Sequence, residues 1–363
     1  MKITGIESFP LRLTTLQQTM TFFVVRVTTD EGLVGFGEAC DSFGVSHPTV
    51  VAAVVDDVYA PLLLGAELTA PEPLLDGVHR ATRRTLGDRG VAGQARSAVA
   101  IALADLVAQA AGRSVSDLAG RVRDGIRVYV GSSPFLESGP ATEHADRLGP
   151  LLDRGVDMVK MRVGLDWRRA VDVLADLRGL LGAEVEIAVD GSEFFTLPQA
   201  VAIAERLHEV GVTWFEEPLP HDQHQAIARL AGRVAVPLAY GEHFSSPDAA
   251  LSALVAGEMS VVQPDAAIAG GIEAARSIAR TAGDRGARVA CHHHGGLVSM
   301  AANLHVAGSS AAVDVVEFPY HLDPLLPGSG IDALVDGALP VPTGPGLGVA
   351  LDDDWLAAHR LGR

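Results

Sequence analysis

Lysine is almost missing from this chain: it stands only at Lys2 and Lys160, and every other one of the 28 basic residues is arginine. Basic residues are themselves outnumbered by 45 acidic ones, for a formal net charge of -17. Nucleic acid and anionic membrane both require a basic face, so neither is expected as a partner. A small anionic carboxylate stays open as a substrate, because a local cation can override the global field. There are two cysteines, Cys40 and Cys291. Their separation excludes a disulfide framework and any zinc-finger spacing, leaving two free thiols suited to a reducing compartment. Met1 and Lys2 are followed by mixed polar and apolar residues with Glu7 among them, so no apolar signal-peptide core is expected. The apolar run from Ala98 to Ala111 is cut by Asp105, too early for a membrane span. The expected location is the cytoplasm.

What is present is ordinary for a large soluble enzyme: 363 residues, 48% hydrophobic and 20% charged. That length predicts two domains, or one large barrel with an added piece. Phe22–Thr28 and Leu33–Ala39 are β-type runs joined by Thr29-Asp-Glu-Gly32, which predicts a hairpin. Glycines at 32, 35 and 37 have the wrong order for a dinucleotide loop, and no helix follows them directly. Apolar residues then recur at helical spacing over 50–64 and 94–111. An α+β amino-terminal domain over residues 1–125 follows from this.

Beyond it the pattern becomes short apolar strand, loop and amphipathic helix, repeated. Candidate strands are 127–130, 158–161, 185–190, 213–216, 236–242, 260–263, 287–291 and 313–317. Helices are expected at 167–181, 198–210, 247–256 and 272–282. Strand ends recur every 25 to 30 residues or so, the size of one βα unit in a barrel. Each strand also carries its polar residues at the same, carboxyl-terminal end. A barrel over 126–330 is therefore expected, followed by a segment, 331–363, that returns to the first domain.

The polar strand ends form a pattern. Asp190, Glu216 and Glu242 terminate three successive strands, and Pro218 stops the middle one. Three converging carboxylates without cysteine or histidine suit a hard cation, Mg²⁺ before Zn²⁺, with Mn²⁺ as a substitute. Lys160 and Arg162 lie two apart on one strand, so both point toward the barrel mouth. In a chain that otherwise writes arginine, a retained lysine offers a compact charge of tunable pKa. Asp265 and the run His292-His-His294 end the sixth and seventh strands. A carboxylate facing an imidazole makes a usable acid/base. His292 fits the strand end best, with His293 and His294 as alternatives, and Glu317 ends the eighth strand.

The ordered set Lys160-x-Arg162, Asp190, Phe215-Glu-Glu-Pro218, Gly241-Glu242, Pro264-Asp265, Gly270-Gly271, His292 and Glu317, with Pro345-Gly-Leu-Gly-Val-Ala-Leu351 near the end, resembles the enolase superfamily and its mandelate racemase-like branch. The resemblance implies a modified TIM barrel, (β/α)₇β, under an α+β capping domain built from residues 1–125 and the tail. It implies Mg²⁺ on Asp190, Glu216 and Glu242, an acid/base dyad of Asp265 and His292, and Lys160 beside a substrate carboxylate. It also implies a homo-oligomer, dimer to octamer, and specificity loops over 14–20 and 41–47, where Gln17, Gln18 and His47, together with His294 in the barrel, are candidates to bind substrate.

The shared chemistry of that family is removal of a proton α to a carboxylate, giving an enediolate. Arg162 stands where a second lysine base is usual, which weakens two-base racemisation. Dehydration of an acid sugar to a 2-keto-3-deoxy acid needs one base and is the main expectation. A racemase or epimerase of an α-hydroxy acid is second, and a non-catalytic metal-binding barrel is a distant third.

Overall fold

The computed structural model describes residues 1–14, 19–39, 47–319 and 331–361. The predicted hairpin is present as β2 (Thr19–Thr29) and β3 (Val34–Ala39), and it gains a third strand, β1 (Ile3–Thr14), antiparallel to β2. Gly5 and Pro10 conceal β1 in the sequence. As an edge strand it tolerates a proline, which pairs with Phe23.

The sheet lies against the helix Val91–Ala110. A Cβ on Gly37 would fall 1.8 Å from the Ala98 carbonyl oxygen, and one on Gly35 would fall 2.5 Å from that of Ala102. The two glycines therefore let strand and helix backbones touch. This helix is long and apolar enough to cross a membrane, but 72% of its apolar window is buried within the protein. Its Asp105 accepts from the backbone N–H of Phe36 at 3.0 Å and of Leu347 at 2.9 Å, linking β3 to the carboxyl-terminal segment. The helix expected over 50–64 is Pro48–Val54 and Ala60–Leu63, joined by a π-helical turn, Val55–Tyr59. Pro61, unable to donate backward, sits just past that turn.

The eight expected barrel strands are all found: β4 (Gly125–Phe135), β5 (Met158–Arg162), β6 (Glu186–Asp190), β7 (Trp214–Glu216), β8 (Leu238–Tyr240), β9 (Val261–Val262), β10 (Arg288–Cys291) and β11 (Val313–Phe318). They pair in parallel in chain order, and β11 closes on β4. The observed β8 is shorter than predicted because Gly241, at φ 136°, turns the chain and leaves Glu242 just past the strand. Seven helices connect successive strands: Ala141–Leu152, Trp167–Leu181, Leu197–Val210, His224–Ala231, Pro247–Val255, Ile272–Gly283 and Leu297–Gly308. Among the described residues this is a (β/α)₇β barrel with a separate antiparallel cap.

Inside the barrel a layer of Tyr129, Met158, Ala188, Trp214, Ala239, Val261, Ala290 and Val315 fills the axis. Below it, at the strand starts, Glu186 is held between Arg127 at 2.7 Å and Arg288 at 2.8 Å, closing the floor with charge pairs. The tail touches both parts. A short strand β12 (Ala338–Pro340) pairs antiparallel with the start of β4, and the helix Asp353–His359 packs on β1. We propose the division already expected from the sequence, a cap over 1–125, a barrel over 126–330 and a returning segment over 331–363.

Candidate active site

The barrel mouth is built by strand register. Arg162, Asp190 and Glu216 are successive partners across β5, β6 and β7, so their side chains lie in a row. Lys160 is inside the same wall, 2% exposed, with its ammonium 2.5 Å from Glu216 Oε1 and 2.9 Å from Glu317 Oε1. Glu216 is fully buried, and its other oxygen accepts from Trp214 Nε1 at 3.1 Å and Gln263 Nε2 at 2.6 Å. Arg162 Nε lies 3.3 Å from Asp190 Oδ2. The other Asp190 oxygen accepts from the backbone N–H of Ser192 at 2.6 Å and from its hydroxyl at 3.1 Å.

On the opposite wall, His292 Nδ1 is 2.9 Å from Asp265 Oδ2. Asp265 is fixed in turn by Asn303 Nδ2 at 3.0 Å and by the backbone N–H of Ala267 at 2.8 Å. The remaining ring nitrogen, Nε2, faces the mouth, 3.5 Å from Glu242 Oε2 and 3.8 Å from Glu317 Oε2. Glu317 also accepts from the Tyr129 hydroxyl at 3.1 Å.

Electrostatics separate the roles. Burial alone would lower the His292 pKa, but Glu242, the Asp265 hydrogen bond and Glu317 together push it up to about 10. Burial raises Asp265, and the His292 hydrogen bond reverses this and holds it below its usual value. His293 goes the other way, lowered by burial to about 4. It is a neutral neighbour whose Nδ1 lies 3.4 Å from Ser299 Oγ. Burial pushes Glu216 up, and Asp190, Glu317 and Glu242 add to that against the pull of Lys160. Burial also raises Glu217, reinforced by Glu242, Glu193 and Glu216. Asp190, Glu216, Glu242, Asp265 and Glu317 thus crowd a mouth that also holds Lys160, Arg162 and His292.

Residues 142–355 match the family model described as enolase C-terminal domain-like, and residues 5–120 match that of the mandelate racemase/muconate lactonizing enzyme amino-terminal domain. The chain belongs to the enolase superfamily, in its mandelate racemase-like branch. Within the superfamily it is 28% identical to D-galactarolactone cycloisomerase of Agrobacterium fabrum, over 93% of this chain and 91% of that one. It is 29% identical to arabinonate dehydratase of Saccharolobus solfataricus, over 94% and 91% of the two chains. A solved racemase of Streptomyces coelicolor, described with bound magnesium, superposes with a TM-score of 0.87 at 25% identity, covering 98% and 99%.

The structure brings Lys160, Arg162, Asp190, Glu216, Glu242, Asp265, His292 and Glu317 to one mouth, and buried His294 follows His292 in the same loop. Gln17 and Gln18 lie outside the described residues, and His47 is exposed at the start of the helix Pro48–Val54. Sequence reasoning assigned no role to Tyr129, Trp214, Gln263 and Asn303, which hold the charged groups in place. Gln263 had a usable signal, since it precedes Pro264-Asp265 at a strand end; Asn303 had only its place in a mostly apolar helix. Glu38 was missed altogether. It ends β3 in the cap, yet accepts from the backbone N–H groups of Gly296 and Ser299 at the start of the helix after the histidines. Burial pushes its carboxyl up to about 7.

Proposed function

We propose that this enzyme dehydrates an acid sugar by abstracting the proton α to its carboxylate. The observation that carries the reading is the single base: His292, backed by Asp265, faces a wall on which both cationic side chains are engaged with carboxylates. Lys160 is paired with Glu216 and Glu317, and Arg162 with Asp190. An arginine stays protonated, and a lysine paired twice is held as a cation, so neither is a base for the second face.

The residues also fit a divalent cation. Asp190, Glu216 and Glu242 supply oxygen donors from adjacent strand ends, and the local excess of buried negative charge requires a counter-charge that Lys160 and Arg162 do not complete. When bound, Mg²⁺ supplies positive charge for the oxygens of a carboxylate whose α-proton is leaving. Lys160 has three donors, of which two point at Glu216 and Glu317, and the third is for the substrate carboxylate. His292 Nε2 removes the α-proton from its neutral form, which a cation held on Glu242 would favour by offsetting the carboxylate that does most to keep the ring charged. The bond from the β-carbon to its hydroxyl then breaks, the imidazolium returns the proton to the departing oxygen, and water leaves. The resulting enol tautomerises to a 2-keto-3-deoxy acid. The buried Glu317 orients Lys160, with Tyr129 fixing its other oxygen.

A relative named arabinonate dehydratase, aligned along nearly the whole chain, supports this reading. The test is a panel of acid sugars with Mg²⁺, assayed for keto-acid product and for exchange of the α-proton in D₂O. Keto-acid formation is the expected result. Exchange with inversion and no keto acid would move the reaction to racemisation, and neither signal across the panel would overturn the enzyme reading.

A further inference from the structure

The helix Leu297–Gly308 holds part of the acid/base dyad in place, yet its first turn has no capping side chain of its own. The residue in the capping position is Gly296, which has nothing to offer the first backbone N–H groups. Glu38, at the end of β3 in the amino-terminal domain, takes that place. It accepts from the backbone N–H of Gly296, from that of Ser299 at 3.1 Å and from the Ser299 hydroxyl at 3.2 Å. Ser299 is the third residue of the helix, and its N–H is one that a capping side chain ordinarily takes. The carboxylate also lies at the positive end of the helix dipole.

Space is kept for this approach. A Cβ on Gly296 would fall 2.9 Å from Glu38 Oε2 and 3.0 Å from Oε1, its three nearest atoms all belonging to that carboxyl group. One on Gly295 would fall 2.8 Å from Glu38 Oε1. The backbone of Gly296, at φ -88°, is open to any residue, so room for the carboxylate is what glycine supplies there. Glu38 is itself buried, so the helix donors provide the compensation that a buried carboxylate needs.

One turn further on, the same helix reaches the dyad. Asn303, four residues after Ser299 and fully buried, donates to Asp265 Oδ1 at 3.0 Å and to the His292 carbonyl at 3.2 Å. Its own side-chain oxygen accepts from the Ala266 backbone at 2.9 Å. A single amide thus grips both loops that carry the acid/base pair. In a close-packed interior, a shift in the first turn of the helix is passed on to the second.

We propose that Glu38 is a positioning residue: it caps this helix from the amino-terminal domain and so sets Asn303 against Asp265 and His292. The inference rests on the reading of His292 as the base. Without Glu38 the first turn loses its acceptor, Asn303 shifts, and the imidazole loses its line to the α-carbon. The amino-terminal domain then does more than cover the mouth, because seating it aligns the base.

The test pairs kinetics with a signal that needs no substrate, the His292 Nδ1 proton in protein labelled with ¹⁵N-histidine, assigned by its loss in His292→Asn. Glu38→Ala should lower kcat about 10–100-fold, as a misplaced group does, with KM, Mg²⁺ affinity and circular dichroism near wild type. It should also shift and broaden the Nδ1 proton signal. Glu38→Gln, which keeps one acceptor oxygen, should recover part of both losses. Gly296→Ala leaves Glu38 in the chain but fills the space its carboxylate needs, so it should reproduce the shift and add little in the Glu38→Ala background. It carries the test should Glu38→Ala fail to fold. An unmoved signal in these variants, or a kcat loss matched by equal losses in KM and Mg²⁺ affinity, would overturn the proposal. The signal decides it even where no acid sugar is turned over, so its failure is distinguishable from failure of the dehydratase reading.

Discussion

Asp265 and His292, on neighbouring strands and 27 residues apart in sequence, meet at 2.9 Å through Nδ1 of the imidazole. That leaves Nε2 as the one nitrogen turned toward the mouth, so the proton transfer is assigned to a single atom. His292→Asn should lower turnover by about 10²–10⁴-fold, the usual worth of a positioned acid/base, while Mg²⁺ affinity by calorimetry stays near wild type. Turnover that survives the substitution would move the base to another side chain.

Lys160 is buried between two carboxylates, and removing it strands both. Lys160→Met should destabilise the Mg²⁺-free protein by about 3–5 kcal/mol in urea unfolding, because an uncompensated buried charge costs more than a broken surface pair. Added Mg²⁺ should recover part of that loss through its affinity for the folded state. A Lys160→Met protein as stable as wild type without Mg²⁺ would show that the pairs at 2.5 and 2.9 Å contribute nothing to the fold.

The barrel floor makes a prediction that leaves chemistry untouched. Glu186 is raised by burial, but Arg288 and Arg127 outweigh that and bring it below the usual glutamate value. A carboxyl depressed in the fold contributes stability above its unfolded pKa and loses it as pH falls through the folded one. Glu186→Gln should therefore cost about 1 kcal/mol near neutrality, and the difference from wild type should vanish in acid. The turnover rate should not change, since Glu186 and Asp190 lie at opposite ends of β6.

His305 offers the opposite chemistry with the same direction in pH. Burial lowers it to about 4. Its Nδ1 accepts from the Ser116 backbone at 3.2 Å, and its Nε2 donates to the Leu347 carbonyl at 3.1 Å. The unfolded chain takes up this proton near pH 6.5, whereas the folded one resists it, so stability should fall as pH drops from about 6.5 to about 4 and then level off. That contribution is roughly 3 kcal/mol at about 1.4 kcal/mol per unit. In His305→Gln, which can keep one donor and one acceptor, thermal unfolding should lose that part of its pH slope. An unchanged slope would show that another group sets it.

The barrel was legible in the sequence because its signal is local and repeated: each short apolar strand ends in a polar residue, and each helix carries an apolar stripe. Trp167–Leu181 is found with the expected limits for that reason. β1 was not legible, since Gly5 and Pro10 interrupt its alternation and only pairing with β2 defines it. Within the site, Asp190 and Glu216 could be aligned because strand ends in a parallel barrel share a register. Contacts that cross elements could not be. Glu38 reaching Gly296, and Asn303 reaching Asp265, depend on where a strand of the cap and a helix of the barrel dock, which no local spacing encodes.

The returning segment bears on the order of assembly during synthesis. Chains emerge amino-terminal end first, and parts fold as they become complete. β12 joins the floor of the barrel at β4, and the backbone of Arg360 bridges to Leu11 on β1. The first sheet of the cap therefore waits, with one edge unfinished, while the whole barrel is made. This segment thus adds a late fastening between cap and barrel to the one that Glu38 already makes with the backbone of Gly296 and Ser299.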